Sequence, residues 1–181
     1  NEDGDRYLEL WNLVFMQFDR DSSGKTNPLP KPSVDTGMGL ERLLAVLQGE
    51  NSNFHTDLLM PIIHHIEEIC KKTYGGKDKN SPDLKADISF RVIADHIRAV
   101  SFIIAEGVLP SNEGRGYVLR RIARRAMRHG RMLGIEEPFL HQATEVVADT
   151  MGVAFLELRE NLNYISQVAL GEEDRFSSTL A

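Results

Sequence analysis

The sequence predicts a mainly α chain that opens with a small β/α section. Two observations carry this expectation. Residues 7–19 (YLELWNLVFMQFD) are rich in aromatic and aliphatic side chains over the length of a long strand. After residue 50, apolar residues recur at helical spacing in five successive segments. The scale agrees: 181 residues with 41% hydrophobic and 27% charged side chains can bury a core and are too apolar for wholesale disorder. The expected division is 1–50 for the β/α section and 51–181 for the helical part.

Each element has a local cause. In the strand, alternation puts Leu8, Leu10, Asn12, Val14, Met16 and Phe18 on one face and Glu9, Trp11, Leu13, Phe15 and Gln17 on the other. Both faces are largely apolar, which predicts a central strand covered on both sides. Residues 21–25 (DSSGK) read as a turn, and Pro28, Pro30 and Pro32 impose an extended connection. A short strand is expected over 33–36. Gly39 then leads into a helix carrying Leu40, Leu43, Leu44 and Leu47, which Gly49 ends. Thr56 or Asp57 can cap the next helix, whose stripe is Leu58, Leu59, Ile62, Ile63, Ile66, Ile69 and Cys70. Residues 75–82 (GGKDKNSP) are the clearest loop. A helix over 88–106 should bury Ile88, Val92, Ile93, Ile97, Val100, Ile103 and Ile104. Residues 107–114 break it, and another helix runs over 116–133. Pro138 suits the first turn of a fourth, through Phe139, Leu140, Ala143, Val146 and Val147, and a fifth carries Phe155, Leu158, Leu162 and Ile165.

Composition narrows the function classes. The lone cysteine, Cys70, leaves no internal disulfide or multi-cysteine zinc site and fits a reducing compartment. No apolar run approaches 18 residues and no basic-then-apolar leader opens the chain, so a cytoplasmic setting without a membrane partner is expected. The opening at Asn1 rather than Met reads as a piece of something longer. A net charge of −6 points away from nucleic acid, but the middle of the chain reverses that average.

In the helix over 116–133, Val118, Leu119, Ile122, Ala123, Ala126 and Leu133 fall in one sector at about 100° per residue. Arg120, Arg121, Arg124, Arg125, Arg128 and Arg131 fall in the opposite one. No Asp or Glu lies between Gly114 and Ile135. A solvated charged face usually mixes signs, because opposite pairs at i,i+4 add a few tenths of a kcal/mol and like pairs cost as much. Arginines without partners suit a polyanion, since the guanidinium forks onto phosphate. The preceding loop, residues 109–116 (LPSNEGRG), offers Ser111 or Asn112 as a helix cap, or Asn112 as an amide that reads base edges while arginines hold phosphates.

Residues 34–44 (VDTGMGLERLL) place Gly37 and Gly39 at a helix start, where a ligand can approach the backbone and Arg42 can meet a phosphate. The G-x-x-x-x-G-K pattern of a P-loop is absent. His64, His65, Glu67 and Glu68 do not form H-E-x-x-H and read as solvated surface rather than metal ligands. His96 reads as part of a polar patch between helices.

The blocks RYLELWNLVFMQF over 6–18, PSVDTGMGLER over 32–42, RVIADHIR over 91–98 and PSNEGRGYVLRRI over 110–122 together resemble the alanyl-tRNA synthetase family of class II aminoacyl-tRNA synthetases. The match spans nearly the whole chain, and its Ser111-Asn112 form resembles bacterial or organellar members, so an organellar matrix is a second setting. The resemblance implies ATP- and Mg²⁺-dependent activation of alanine and its transfer to the 3′ end of tRNA(Ala). It implies that the 37–42 block is the third class II motif, with Arg42 and Gly39 at the ATP and Arg42 acting in catalysis. It implies that Asp35 holds the alanine ammonium, Gly37 lines a pocket that must stay small, and Asn12 completes the amino-acid site. Residues 1–50 would be the C-terminal edge of the class II antiparallel-sheet catalytic core. The helical part would be the tRNA-recognition domain, with Asn112 on the G·U pair of the acceptor stem and Arg115, Arg121, Arg124, Arg125 and Arg128 on the RNA. The other two class II motifs would precede Asn1, and the zinc-bearing editing domain would follow Ala181, so the partner includes the remainder of the synthetase chain, no metal site is expected here, and this stretch alone is expected to be inactive. The competing readings are a non-catalytic helical RNA-binding module of synthetase ancestry and a different ATP-dependent ligase sharing the glycine–arginine motif.

Overall fold

The computed structural model describes residues 7–76 and 83–180. Residues 1–6, at the opening, and 77–82, within the expected loop, lie outside the described residues. The protein is mainly helical with one two-stranded antiparallel sheet near its start, and it divides into two compact units, one ending at Thr56 and the other starting at Asp57.

In the first unit, β1 (Trp11–Arg20) pairs with β2 (Thr26–Met38). Asp21 builds the turn between them: Oδ1 accepts from the Ser23 N–H at 2.9 Å and the Lys25 N–H at 3.1 Å, and Gly24 takes φ +86°. The Ser23 hydroxyl and these neighbours hold the Asp21 carboxyl below its ordinary range. The second strand is far longer than expected and runs through Pro28, Pro30 and Pro32. Prolines survive there because both strands of a two-stranded ribbon are edges, so a missing N–H can face outward. The expected covering on both faces is not found. Trp11, Phe15 and Phe18 are 62%, 69% and 62% exposed, and among the described residues no third strand pairs with either edge. A central position needs partners on both sides, and the ladder supplies one.

Helix α1 (Leu40–Gln48) begins at Gly39 and ends at Gly49, whose φ of 71° lets its N–H reach the carbonyls of Ala45 and Val46. A single 3-10 turn follows over Asn53–His55. Thr56 is buried, and its hydroxyl donates to the Asn53 carbonyl at 2.8 Å. It therefore closes that turn instead of capping the next helix. That helix, α2 (Met60–Cys70), starts at Met60 with Pro61 in its first turn and no side-chain cap.

The second unit continues with α3 (Leu84–Ala105), α4 (Gly114–Leu133), α5 (Leu140–Met151), α6 (Leu156–Glu160) and α7 (Leu162–Leu180). The central helix is α3, packed on α4 most extensively and also on α2, α5, α6 and α7. Its Ile93, Ile97, Val100 and Ile104 are buried with Ile62, Ile63 and Ile66 of α2, Leu119 of α4 and Val147 of α5. The stripe differs from expectation: Phe90 is fully buried, Ile88 is exposed, and Val92 and Ile103 are only half-buried, since the packed neighbours cover a narrower face of α3. The helix also starts earlier, at the Asp83 cap, which accepts from the Ala86 N–H at 3.0 Å. On α4, Val118 is likewise exposed, beside Phe102, Ile103 and Val108 in an open apolar groove. The expected fifth helix is two, parted at Asn161. Phe155 precedes the first of them, its ring edge-on to Phe102 at 4.9 Å.

Candidate functional site

In the first unit, ladder register gathers the strand residues. Asn12 stands opposite Gly37 and Val14 opposite Asp35. Since strand side chains alternate, Asn12, Asp35 and Gly37 share one face of the ribbon. A Cβ on Gly37 would lie 3.3 Å from Asn12 Oδ1, so any larger residue there crowds the amide. Asn12 Nδ2 donates to Glu9 Oε1 at 3.1 Å, and Asp35 Oδ1 accepts the Thr36 N–H at 2.9 Å. The opposite face is tied by the Trp11 indole N–H, which donates to the Thr36 hydroxyl.

Gly39 joins ribbon to helix. Its N–H donates to the Leu10 carbonyl at 2.9 Å, which fixes where α1 begins. Arg42 then sits in the first turn, exposed, with Nη1 donating to the Glu9 carbonyl at 2.7 Å. A guanidinium so placed is held by one N–H, and among the described residues its other N–H groups stay available for an anion. The chemistry this permits is fixation of an ammonium by a carboxylate and of phosphates by a nearby cation.

In the second unit, the loop before α4 is shaped by small residues. Gly114 has φ +57°, and a Cβ on Gly116 would meet the Leu109 carbonyl oxygen and Ser111 Oγ, each at 2.3 Å. Ser111 Oγ donates to the Glu113 carbonyl at 2.8 Å, and the Ser111 N–H reaches the Gly116 carbonyl at 3.1 Å. Neither Ser111 nor Asn112 is the N-cap; Glu113 holds that position without a side-chain cap bond. Asn112 is exposed, and its Oδ1 accepts from Arg120 Nη1. Arginine carries only donors, so the amide oxygen must be the atom turned toward it.

The arginines of α4 divide into two lines, which the sequence treated as one. Arg120 and Arg124 face α7, where their Nε atoms lie 3.1 and 2.8 Å from Glu172 Oε1, and Arg131 donates to Ser177 Oγ at 3.5 Å. The Arg124 contact is a well-directed hydrogen bond, whereas Arg120 Nε is close but not aligned. The expectation that these arginines are unpaired is thus corrected for Arg120 and Arg124. The cause is that α4 packs on two neighbours, α3 and α7. Arg121, Arg125 and Arg128 form the second line. They are exposed and, among the described residues, make no ion pair with a carboxylate; Arg121 lies over the Tyr117 ring at 5.7 Å. Arg115 is exposed at the start of the same helix.

Two neighbouring acids on α7 were missed in the sequence. Glu172 and Glu173 are 1% and 3% exposed. Glu173 accepts the N–H groups of Phe139, Leu140 and His141 at 2.7, 2.8 and 3.1 Å and lies 2.9 Å from His141 Nδ1. It therefore caps the N-terminus of α5 from another helix, where negative charge is favoured. A signal existed: Ile165, Ala169 and Glu172 at i, i+4, i+7 put a carboxylate on the buried stripe of α7.

His64, His96 and His129 have structural partners, whereas His65, expected as solvated surface, is half-buried with its Nε2 buried and without a hydrogen-bond partner among the described residues. His64 Nδ1 meets Glu67 Oε2 at 2.7 Å, while Glu67 Oε1 accepts the Tyr74 N–H at 2.6 Å. His96 lies between α3 and α4, beside Arg121 and Arg125, with Nδ1 2.9 Å from Asp95 Oδ2. That bond, with Arg98 and Arg125 nearby, holds the Asp95 carboxyl below its ordinary range against the opposing effect of burial. His129 Nδ1 lies 3.0 Å from Ser89 Oγ, and burial first, then Arg125, His96 and Arg128, push its pKa down.

A carboxylate, an amide and a small residue on one ribbon face, running into a glycine-started helix with a cation, share this chain with an arginine-lined helical bundle. The chain belongs to the tRNA synthetases class II (A) family, whose model matches residues 1–181. It is similar to proteins named alanine–tRNA ligase: 60% identical over 179 residues to that of Acidithiobacillus ferridurans, 57% over 179 to that of Halorhodospira halophila, and 54% over 180 to that of Magnetococcus marinus. Each alignment covers 99% of this chain and 20% of the relative, so the chain spans about one fifth of the curated relatives' length.

Proposed function

We propose that this chain is the part of an alanine–tRNA ligase that joins the amino-acid and ATP site to the surface that meets tRNA(Ala). The observation that carries this reading is the shared face of Asn12, Asp35 and Gly37, with Arg42 in the helix turn that follows. The alanine carboxylate attacks the α-phosphorus of ATP, the bond to the β-phosphate oxygen breaks, and pyrophosphate leaves with its negative charge. Asp35 holds the substrate ammonium, and Asn12 orients it. Gly37 lines the pocket for the substrate methyl, and a larger residue there would crowd the Asn12 amide. Arg42, beside Gly39, neutralises charge on the leaving phosphates. Mg²⁺ accompanies the nucleotide and supplies further charge compensation there; no residue of this stretch is assigned to hold it.

The exposed line Arg121, Arg125 and Arg128, with Arg115, holds acceptor-stem phosphates, and Asn112 reads the G·U pair through the shallow minor groove. Arg124, engaged with Glu172, serves the fold first and the RNA second. The expected setting is the cytoplasm; among the described residues no helix is long and apolar enough to cross a membrane. The helical RNA-binding module remains the second reading, favoured by the separate core of the second unit.

The test is Arg42→Ala in the full-length enzyme. ATP–pyrophosphate exchange with alanine should slow by about 10² or more, the scale for removing a preorganised charge stabiliser. Near-wild-type exchange would take Arg42 out of the reaction. The stretch alone should show no exchange.

A further inference from the structure

An exposed amide on a loop discriminates between base pairs only if it is held in one orientation, because a rotating amide offers donor and acceptor alike. Asn112 precedes the first turn of α4 and gains nothing from the helix backbone. What holds it is a side chain that arrives from two turns further on.

Arg120 Nη1 donates to Asn112 Oδ1, and Nη2 reaches the Pro110 carbonyl oxygen at 3.4 Å. The other edge of the same planar group, Nε, is buried 3.1 Å from Glu172 Oε1, an ion pair without hydrogen-bond alignment that anchors the group by charge. Glu172 is 1% exposed and is itself fixed by Arg124 Nε at 2.8 Å, with Arg175 Nη1 3.7 Å from its second oxygen. One rigid guanidinium thus spans from a buried carboxylate on α7 to the loop that carries Asn112. The carboxylate sits far from the loop in sequence, and among the described residues its ion-pair partners are all arginines.

We propose that Glu172 is a positioning residue for base-pair reading: it fixes Arg120, and Arg120 fixes the Asn112 amide with its oxygen turned inward. This rests on the assignment of Asn112 as the base reader. Without the carboxylate, nothing on the inner side sets the rotation of the Arg120 fork, and the amide loses its preferred face. Arginine is suited to this because its fork is planar and pre-organised; lysine carries the charge without the span.

The experiment uses the full-length enzyme and two acceptor minihelices that differ only in the G·U pair, one carrying G·C. The readouts are charging kcat/KM on each, ATP–pyrophosphate exchange, and the melting temperature. Asn112→Ala should cut the G·U over G·C preference by about tenfold or more, the scale of one good side-chain contact to a base edge. Glu172→Gln should lower the same ratio by about tenfold while exchange persists, and Asn112→Ala combined with Glu172→Gln should lose no more preference than Asn112→Ala alone. A merely structural Glu172 would depress both RNAs equally and leave the ratio unchanged, which overturns the proposal. If Glu172→Gln does not fold, Arg120→Lys takes its place: it keeps the charge beside Glu172, loses the fork, and should lower the ratio alike. An unchanged ratio in folded Arg120→Lys overturns the proposal. If instead Asn112→Ala leaves the ratio intact, the base-reader assignment falls, and the Glu172 proposal falls with it.

Discussion

Helix α4 carries two lines of arginine that differ only in what stands opposite them. Arg120 and Arg124 look onto a buried carboxylate of α7, whereas Arg121, Arg125 and Arg128, about one residue around the helix, look outward. The residue type is the same, the helix is the same, and the consequences are opposite. Taking one partner from a buried pair strands a charge and costs stability. Removing an exposed cation leaves the fold alone and alters only what a polyanion feels. An arginine count therefore says little about RNA contact until the neighbouring helix is known.

The comparison breaks first at the acids of α7. Glu173→Ala should cost about 3 kcal/mol in urea unfolding, because it strips three N–H groups at the start of α5 and the His141 ring of their acceptor. A loss below about 0.5 kcal/mol, the level of an ordinary surface change, would mean that α5 finds another cap. Arg124→Ala should follow at about 2 kcal/mol, since Arg120 and Arg175 still stand beside Glu172. If it left stability unchanged while weakening RNA, Arg124 would move into the outward line.

The outward line is sharpened by salt. In the full-length enzyme, Arg121→Gln with Arg128→Gln should flatten the slope of log affinity for an acceptor stem against log salt by about 1.5, with the melting temperature unmoved. An unaltered slope would make these arginines ordinary solvated surface. The smallest effect belongs to His129. Its pKa lies below the ordinary 6.5, so the unfolded chain takes up a proton that the folded chain refuses. Its contribution is complete above pH 6.5 and fades as the pH falls below that value. His129→Gln should remove this part of the acid loss, and an identical pH–stability curve in the variant would show that another group carries it.

Much of this was legible along the chain, for reasons that can be traced. Helices announce themselves locally, because their hydrogen bonds close within a few residues and their buried stripes follow a period of 3.6. Hence Ile62, Ile63 and Ile66, Ile93 and Ile97, and Leu119 and Ala123 were assigned to the core, and they are buried. The Gly39 start and Gly49 stop of α1 were equally local. The strand was harder. Its face alternation was readable, but it starts at Trp11 and not at Tyr7, and whether Trp11 or Phe15 is covered depends on partners distant in sequence; both are exposed. Ile88 and Val118 went wrong for a related reason: a helix edge is buried or open according to its neighbours.

The sequence by itself determined the mainly helical class, the glycine–arginine helix start, the arginine-only character of α4 and the family blocks. Each of these is a property of residues close together in the chain. Only the tertiary structure decided that Asn12, Asp35 and Gly37 share a face, since ladder register is set between strands. It alone decided which arginines are anchored, because Glu172 lies 48 residues beyond Arg124 and meets it only when α7 folds back on α4. Charge is written in the sequence, but the partner that neutralises it is chosen by packing, and that choice separates a structural cation from one left exposed to solvent.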